Sequence, residues 1–124
     1  SLRVAPNLPE PHLELGYLSA QSNDLPGSID YFREAIRLKP DYAEAHNNLA
    51  VQLIMSGRKE EALSHLRQAV QYKPDYRDAR NNLGQLLTEF GQTAEAQEQF
   101  RAVLKIYPND PKALDSLRRL GARR

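Results

Sequence analysis

Histidines, paired acids and a doubled asparagine that occurs twice are the side chains whose types and spacings bear on chemistry. Histidines at paired spacing bind metal or carry protons, so His12, His46 and His65 are weighed first. His12 and His46 lie 34 residues apart, His65 falls in a different segment, and no HExxH or i, i+4 histidine pair is present. That placement supplies no ligand set, and no metal or other cofactor is expected. The acid pairs Glu60 with Glu61 and Glu95 with Glu98 read as solvated helix faces rather than general acid and base. The absence of cysteine removes thiolate nucleophiles, thiolate metal sites and disulfides. No GxSxG elbow, phosphate-cradling GxxxxGK[ST] or GxGxxG loop occurs, so the chain is not expected to be an enzyme.

Charge narrows the partners. Lys+Arg 17 against Asp+Glu 16 leaves a formal charge of +1, without the basic excess of a phosphate-backbone binder, so nucleic acid is not an expected partner. No apolar run approaches the roughly 20 residues that cross a bilayer, and residues 1–20 lack a secretory signal. The expectation is a soluble chain that does not insert into membranes, with the cytoplasm as the favoured compartment.

The elements that position these residues follow from a period. Pro6, Pro40, Pro74 and Pro108 lie 34 residues apart among 124. The same shift lays Lys39-Pro40-Asp41-Tyr42 on Lys73-Pro74-Asp75-Tyr76, Asn47-Asn48-Leu49 on Asn81-Asn82-Leu83, Gly57 on Gly91 and Glu61-Ala62 on Glu95-Ala96. Leu2 and Val4 fall in register with Ile36 and Leu38, so residues 1–8 read as the end of an upstream repeat. Three full units at 9–42, 43–76 and 77–110 follow, then a capping helix and tail at 111–124. Within a unit, Ala45, Leu49, Ala50 and Leu53 keep helical spacing, as do Ala62, Leu66, Ala69 and Val70, so each unit predicts two amphipathic helices. Asp41 and Asp75 are expected to cap the first helices, Gly57 and Gly91 to close them, and the periodic prolines to end the second. Seven helices are predicted near 11–22, 26–38, 43–56, 59–72, 77–90, 93–106 and 111–120, with one further turn at Leu2 to Val4. Ala113, Leu114, Leu117 and Leu120 give the last helix an apolar stripe suited to closing an array.

The 34-residue unit with Leu49-Ala50, Leu53, Ala62, Leu66, Ala69 and Pro74, matched by Leu83-Gly84, Leu87, Ala96, Phe100, Val103 and Pro108, resembles the tetratricopeptide repeat (TPR). The unit starting at Pro9 fits with Leu15-Gly16, Phe32, Ala35 and Pro40, and departs at Ser19 and Ser28, where an aromatic and an alanine are usual. His12, His46 and Arg80 stand where the family usually places tryptophan, and these departures are expected to weaken packing there. The resemblance implies an all-α, right-handed superhelical solenoid of antiparallel helix pairs, with the first helices lining a concave groove.

The resemblance carries Glu10, Leu13, Glu14, Tyr17 and Gln21 onto that groove from the first unit, with Glu44, Asn47, Asn48, Val51, Ile54 and Met55 from the second. The third unit gives Asp78, Asn81, Asn82, Gln85, Thr88 and Glu89. The candidate peptide-binding residues among them are Tyr17, Asn47, Asn48, Val51, Met55, Asn81, Asn82 and Gln85. Co-chaperones of this family hold a C-terminal carboxylate with lysine, arginine and asparagine. Leu13, Asp78 and Asn82 stand here where the cations belong, and only Asn48 matches. The groove asparagines are more similar to those of the O-linked N-acetylglucosamine transferase TPR array, where a recurring asparagine holds substrate main chain. Asn48 and Asn82 fit that ladder, an amide offering a donor and an acceptor to an extended peptide. The implied function is a non-catalytic protein-interaction module that binds a peptide segment or helix of a partner. The alternatives are a substrate-recognition or regulatory arm of a larger enzyme, such as a glycosyltransferase, and self-association as a homodimer through an N-terminal face exposing Leu2, Val4, Leu13, Leu15 and Leu18.

Overall fold

The computed structural model describes residues 8–121. The expected turn at Leu2 to Val4, the apolar stub of the N-terminal face and Arg123-Arg124 lie outside the described residues. Seven α-helices occur among the described residues: α1 (Pro9–Gln21), α2 (Leu25–Leu38), α3 (Ala43–Met55), α4 (Lys59–Tyr72), α5 (Arg77–Glu89), α6 (Thr93–Ile106) and α7 (Pro111–Arg119). No strand is present among the described residues. Every helix lies within two residues of its expected span, so the fold is an all-α array of helix pairs.

The chain divides into two compact units, Ser1–Tyr72 and Lys73–Arg124. In the first, α1 packs on α2, α2 on α3 and α3 on α4. Leu49, Leu53 and Leu66 are completely buried there, and burying each such side chain stabilises by about 1.5–3 kcal/mol. Ala35, Tyr42 and Ala45 form a cluster covered by Leu13 and Ile36, so residues from three helices meet at one point. In the second unit α5 packs on α6, and α7 closes the pair by touching both. Its stripe works as expected, with Ala113 and Leu117 buried and Leu114 and Leu120 half-buried.

Helix ends follow the punctuation in part. Gly57 and Gly91 take φ of +84° and +77°, which glycine adopts without strain. Around Gly57 the amides of Gly57 and Arg58 donate to Ile54 and Leu53, and around Gly91 the amides of Gly91 and Gln92 donate to Thr88 and Leu87. These are paired bonds that satisfy the last turn of α3 and of α5. The expected caps at Asp41 and Asp75 are corrected. Tyr42 and Tyr76 occupy the N-cap positions without a side-chain cap bond. The side-chain caps are Asp24, which accepts from the Gly27 amide at 3.0 Å, and Asp110, which accepts from the Ala113 amide at 2.9 Å. Both precede a Leu-Pro or Pro start, whereas the Asp-Tyr pairs enter the helix one residue later.

The small residues Ala50, Ala62, Ala69, Gly84 and Ala96 are all buried. Gly84 shows why: a Cβ there would sit 2.6 Å from Cζ of the buried Phe100, so glycine admits the ring between α5 and α6. Gly16 admits Phe32 in the same way between α1 and α2.

Candidate functional site

Helical spacing lines up Glu10, Glu14, Tyr17 and Gln21 along one face of α1, and Glu44, Asn48, Val51 and Met55 along one face of α3. Each residue of the second set lies 34 positions after its counterpart in the first. Between the two rows opens a cavity of about 250 Å³ lined by Tyr17, Ala20, Gln21, Phe32, Asn48, Val51 and Gln52. Tyr17 is 48% exposed and meets the edge of Phe32 at 6.2 Å between centroids, with an interplanar angle of 88°. An aromatic wall of this kind receives apolar side chains.

Two amides bring polarity to this cavity. Asn48 Nδ2 is buried and has no hydrogen-bond partner among the described residues. A buried donor without an acceptor costs about 1–3 kcal/mol. Gln52 is held from behind, because Ser28 Oγ lies 2.9 Å from Leu25 O and 3.1 Å from Gln52 Oε1 and its proton is shared between them. Ser28, expected to weaken packing, is fully buried and fixes a residue of the cavity wall instead.

The other end of the rows is acidic. Tyr42 is pushed above the ordinary phenol range, first by burial and then by Glu10, Glu44 and Glu14, with Tyr17 adding to them. All three carboxylates therefore bear electrostatically on that one phenol. Lys39 Nζ lies over the Tyr42 ring, 4.7 Å from its centroid.

The second unit has its own cavity, about 340 Å³, lined by Gln85, Thr88, Glu89, Phe100, Lys112, Asp115, Ser116, Arg119 and Leu120. Arg118 and Arg119 bind Asp115 at 2.8 and 3.0 Å, and the Arg118 hydrogen bond holds that carboxyl below the usual range.

Of the sequence-predicted residues, Tyr17, Asn48 and Val51 share the first cavity and Gln85 lines the second. Met55 is 66% exposed beyond the first cavity, and Asn82 is half-buried outside the second. Asn47 and Asn81 are buried and line neither cavity. Asn81 Nδ2 donates to Asp110 Oδ2 at 3.1 Å, bracing the start of α7. Sequence reasoning left out Phe32, Gln52, Lys112, Asp115, Ser116 and Arg119. Phe32 stays buried, its ring admitted between α1 and α2 by Gly16, and from there it backs the floor of the cavity.

A polar cluster that spacing did not reveal lies between α3 and α4. His46 Nδ1 and His65 Nδ1 are 2.9 Å apart, and His46 Nε2 is 2.7 Å from Pro40 O. The rings stack at 5.1 Å, with Tyr72 against His46 at 5.8 Å. Burial lowers both imidazoles, His65 to about 4 with His46 adding to the shift. Glu61, read as a solvated acid, bonds Arg33 at 2.7 Å and lies 3.9 Å from His65 Nε2. Among the described residues no helix is long and apolar enough to cross a membrane.

Known structures share this fold. The first TPR of Spaghetti (RPAP3), bound to the HSP90 peptide SRMEEVD, is similar with TM-score 0.85 and 20% identity over 95% of this chain and 96% of that one. The second TPR domain of human RPAP3, in complex with the HSP70 peptide SGPTIEEVD, is similar with TM-score 0.81 and 21% identity over 93% and 99%. MamA is similar with TM-score 0.86 and 25% identity over 93% of this chain and 67% of that one. No curated protein matches by sequence. The profile described as tetratricopeptide repeat matches residues 53–120, and a second, described as TPR repeat, matches residues 16–57. With more than half its length matched by the first profile alone, the chain belongs to the tetratricopeptide repeat family.

Proposed function

We propose that the chain is a non-catalytic protein-interaction module that holds a peptide segment of a partner on the α1–α3 face. The observation that carries this reading is the buried, unpartnered Asn48 Nδ2 on the wall of a largely apolar cavity. The amide donates to a main-chain carbonyl of the bound segment whatever its sequence, while Tyr17, Phe32 and Val51 receive one apolar side chain. Two similar chains, the RPAP3 repeats, are described with bound peptides, which supports peptide recognition by this fold. Among the described asparagines, Asn48 has the buried unpartnered donor on which a ladder like that of the O-linked N-acetylglucosamine transferase would depend, and Asn82 joins it here only by its period position.

Selection from a random-peptide display library tests the reading. Recovered peptides are expected to lose about tenfold in affinity on Asn48→Ala and more on Val51→Asp, and to be indifferent to Glu60→Ala on the exposed side of α4. Peptides that ignore Asn48 and Val51 would overturn it.

A further inference from the structure

The occupant of the α1–α3 face can be specified further, on the reading that this face binds a segment at all. None of the eight residues in its two rows, Glu10, Glu14, Tyr17, Gln21, Glu44, Asn48, Val51 and Met55, is cationic. One end is apolar around Tyr17, Phe32 and Val51, and the other carries three carboxylates. Glu10 and Glu14 are exposed and Glu44 half-buried, and none of them is ion-paired with a described residue. All three add to the rise of the Tyr42 phenol, over whose ring Lys39 Nζ lies 4.7 Å from the centroid.

We propose that this face takes an internal peptide segment with one large apolar side chain and, about three residues away, a lysine or arginine, and that it rejects acidic segments ending in a free carboxylate. The spacing follows from the rows. Tyr17 and Glu10 are seven residues apart on α1, about 10 Å along the axis, which an extended chain covers in about three residues. The apolar side chain enters the cavity, Asn48 Nδ2 takes a main-chain carbonyl, and the cation reaches Glu10, Glu14 and Glu44. A carboxylate on the segment meets the same three groups as like charge. The peptides SRMEEVD and SGPTIEEVD, held by the two RPAP3 repeats, have the composition this face disfavours.

Titration of the isotope-labelled chain with acetylated, amidated peptides tests the proposal. The peptides share a Gly/Ser background and a central leucine, and carry arginine, glutamine or glutamate three residues from it; SRMEEVD as free acid is the fourth probe. The arginine peptide is expected to shift the Asn48 and Val51 resonances with roughly tenfold tighter binding than the glutamate peptide, and added salt is expected to narrow the gap. Glu10→Gln/Glu14→Gln/Glu44→Gln is expected to erase the difference while the glutamine peptide binds as before. Equal binding of all three amidated peptides would overturn the charge preference and leave the interaction reading standing. Tighter binding of the glutamate peptide or of SRMEEVD would reverse the preference. Silence from every peptide at Asn48 and Val51 would sink both. Dimerisation of the chain alone, abolished by the triple substitution, would make a second copy the occupant and overturn the partner proposed.

Discussion

The α3–α4 and α5–α6 pairs have the same helix lengths, 13 and 14 residues, and bury the same framework positions, yet their internal polar contacts use different chemistry. In α3–α4, His46 donates to Pro40 O from Nε2 and meets His65 through Nδ1. In α5–α6, Arg80 Nε donates to Pro74 O at 2.9 Å and Arg80 Nη1 donates to Gln99 Oε1 at 2.9 Å. Every residue in the second set lies 34 positions after its counterpart in the first. The period thus carries the geometry of a contact, one donor to the carbonyl of the repeating proline and one reach across to the second helix. The residues that make it are exchanged as a set.

The exchange gives the two pairs opposite responses to acid. With Nε2–H given to Pro40, His46 Nδ1 is an acceptor, and it takes the proton of His65 Nδ1–H. One proton fits between the two nitrogens and two do not. The charged groups around the pair are Glu61 and Arg33, with Asp41 acting on His46. His65 is lowered from 6.5 to about 4, so above pH 6.5 neither folded nor unfolded chain holds the extra proton. Between 6.5 and about 4 the unfolded chain binds more protons, and stability falls as pH falls, by about 3 kcal/mol in all. His46 adds in the same direction. The largest expected effect is therefore a denaturation midpoint that drops from pH 7 to pH 5, before most carboxylates titrate. His65→Gln, which keeps an amide donor for His46 Nδ1, should remove most of that drop, and His46→Arg/His65→Gln, which copies the α5–α6 set, should remove nearly all of it. Urea melts of the three chains at both pH values decide; equal slopes would show that the histidines titrate normally.

A second contrast lies in volume. Gly84 and Phe100 occupy the positions that Ala50 and Leu66 hold in α3–α4, so the small partner grows where the large one shrinks. Gly84→Ala gains up to about 1 kcal/mol in helix propensity and loses about 1–3 kcal/mol to overpacking against Phe100, whose ring is fully buried. The net expectation is a loss of about 1 kcal/mol. Gly84→Ala/Phe100→Leu rebuilds the α3–α4 combination and should lie at least about 1 kcal/mol above the sum of the single changes. Additive singles in a double-mutant cycle would mean that the two pairs do not share a packing rule.

These contrasts also mark what the sequence discloses. The seven helices were legible because proline and glycine punctuate each period and the apolar positions keep 3.6-residue spacing. Tyr17 and Val51 were set on one groove by the family resemblance, and the 34-residue period that relates them also brings both to the wall of one cavity. The histidine pair was not, because 19 residues separate His46 from His65 and only the folding back of α4 on α3 joins them. A signal did exist: the same separation joins Arg80 to Gln99, a donor matched with an acceptor. The burial of Asn47 and Asn81 was not legible because the doubled asparagines look alike in sequence, while a rotation of about 100° along the helix separates each from its less buried neighbour, Asn48 or Asn82.

The smallest effect concerns Ser28, which stands one period before Ala62 and two before Ala96, while its partner Gln52 stands one period before Leu86. The first unit thus keeps a polar pair at positions that carry apolar residues elsewhere, and the pair backs the cavity wall. Ser28→Ala leaves Gln52 Oε1 without its donor and should cost about 1 kcal/mol. Ser28→Ala/Gln52→Leu removes donor and acceptor together, matches the residues found at the corresponding positions, and should cost almost nothing in stability. Peptide affinity separates the two outcomes further, because the double change also replaces an amide on the cavity wall with an apolar side chain. Binding that survives Ser28→Ala but weakens in the double variant assigns Gln52 a direct contact with the bound segment. Binding lost equally in both shows that Gln52 acts only when Ser28 holds it in place.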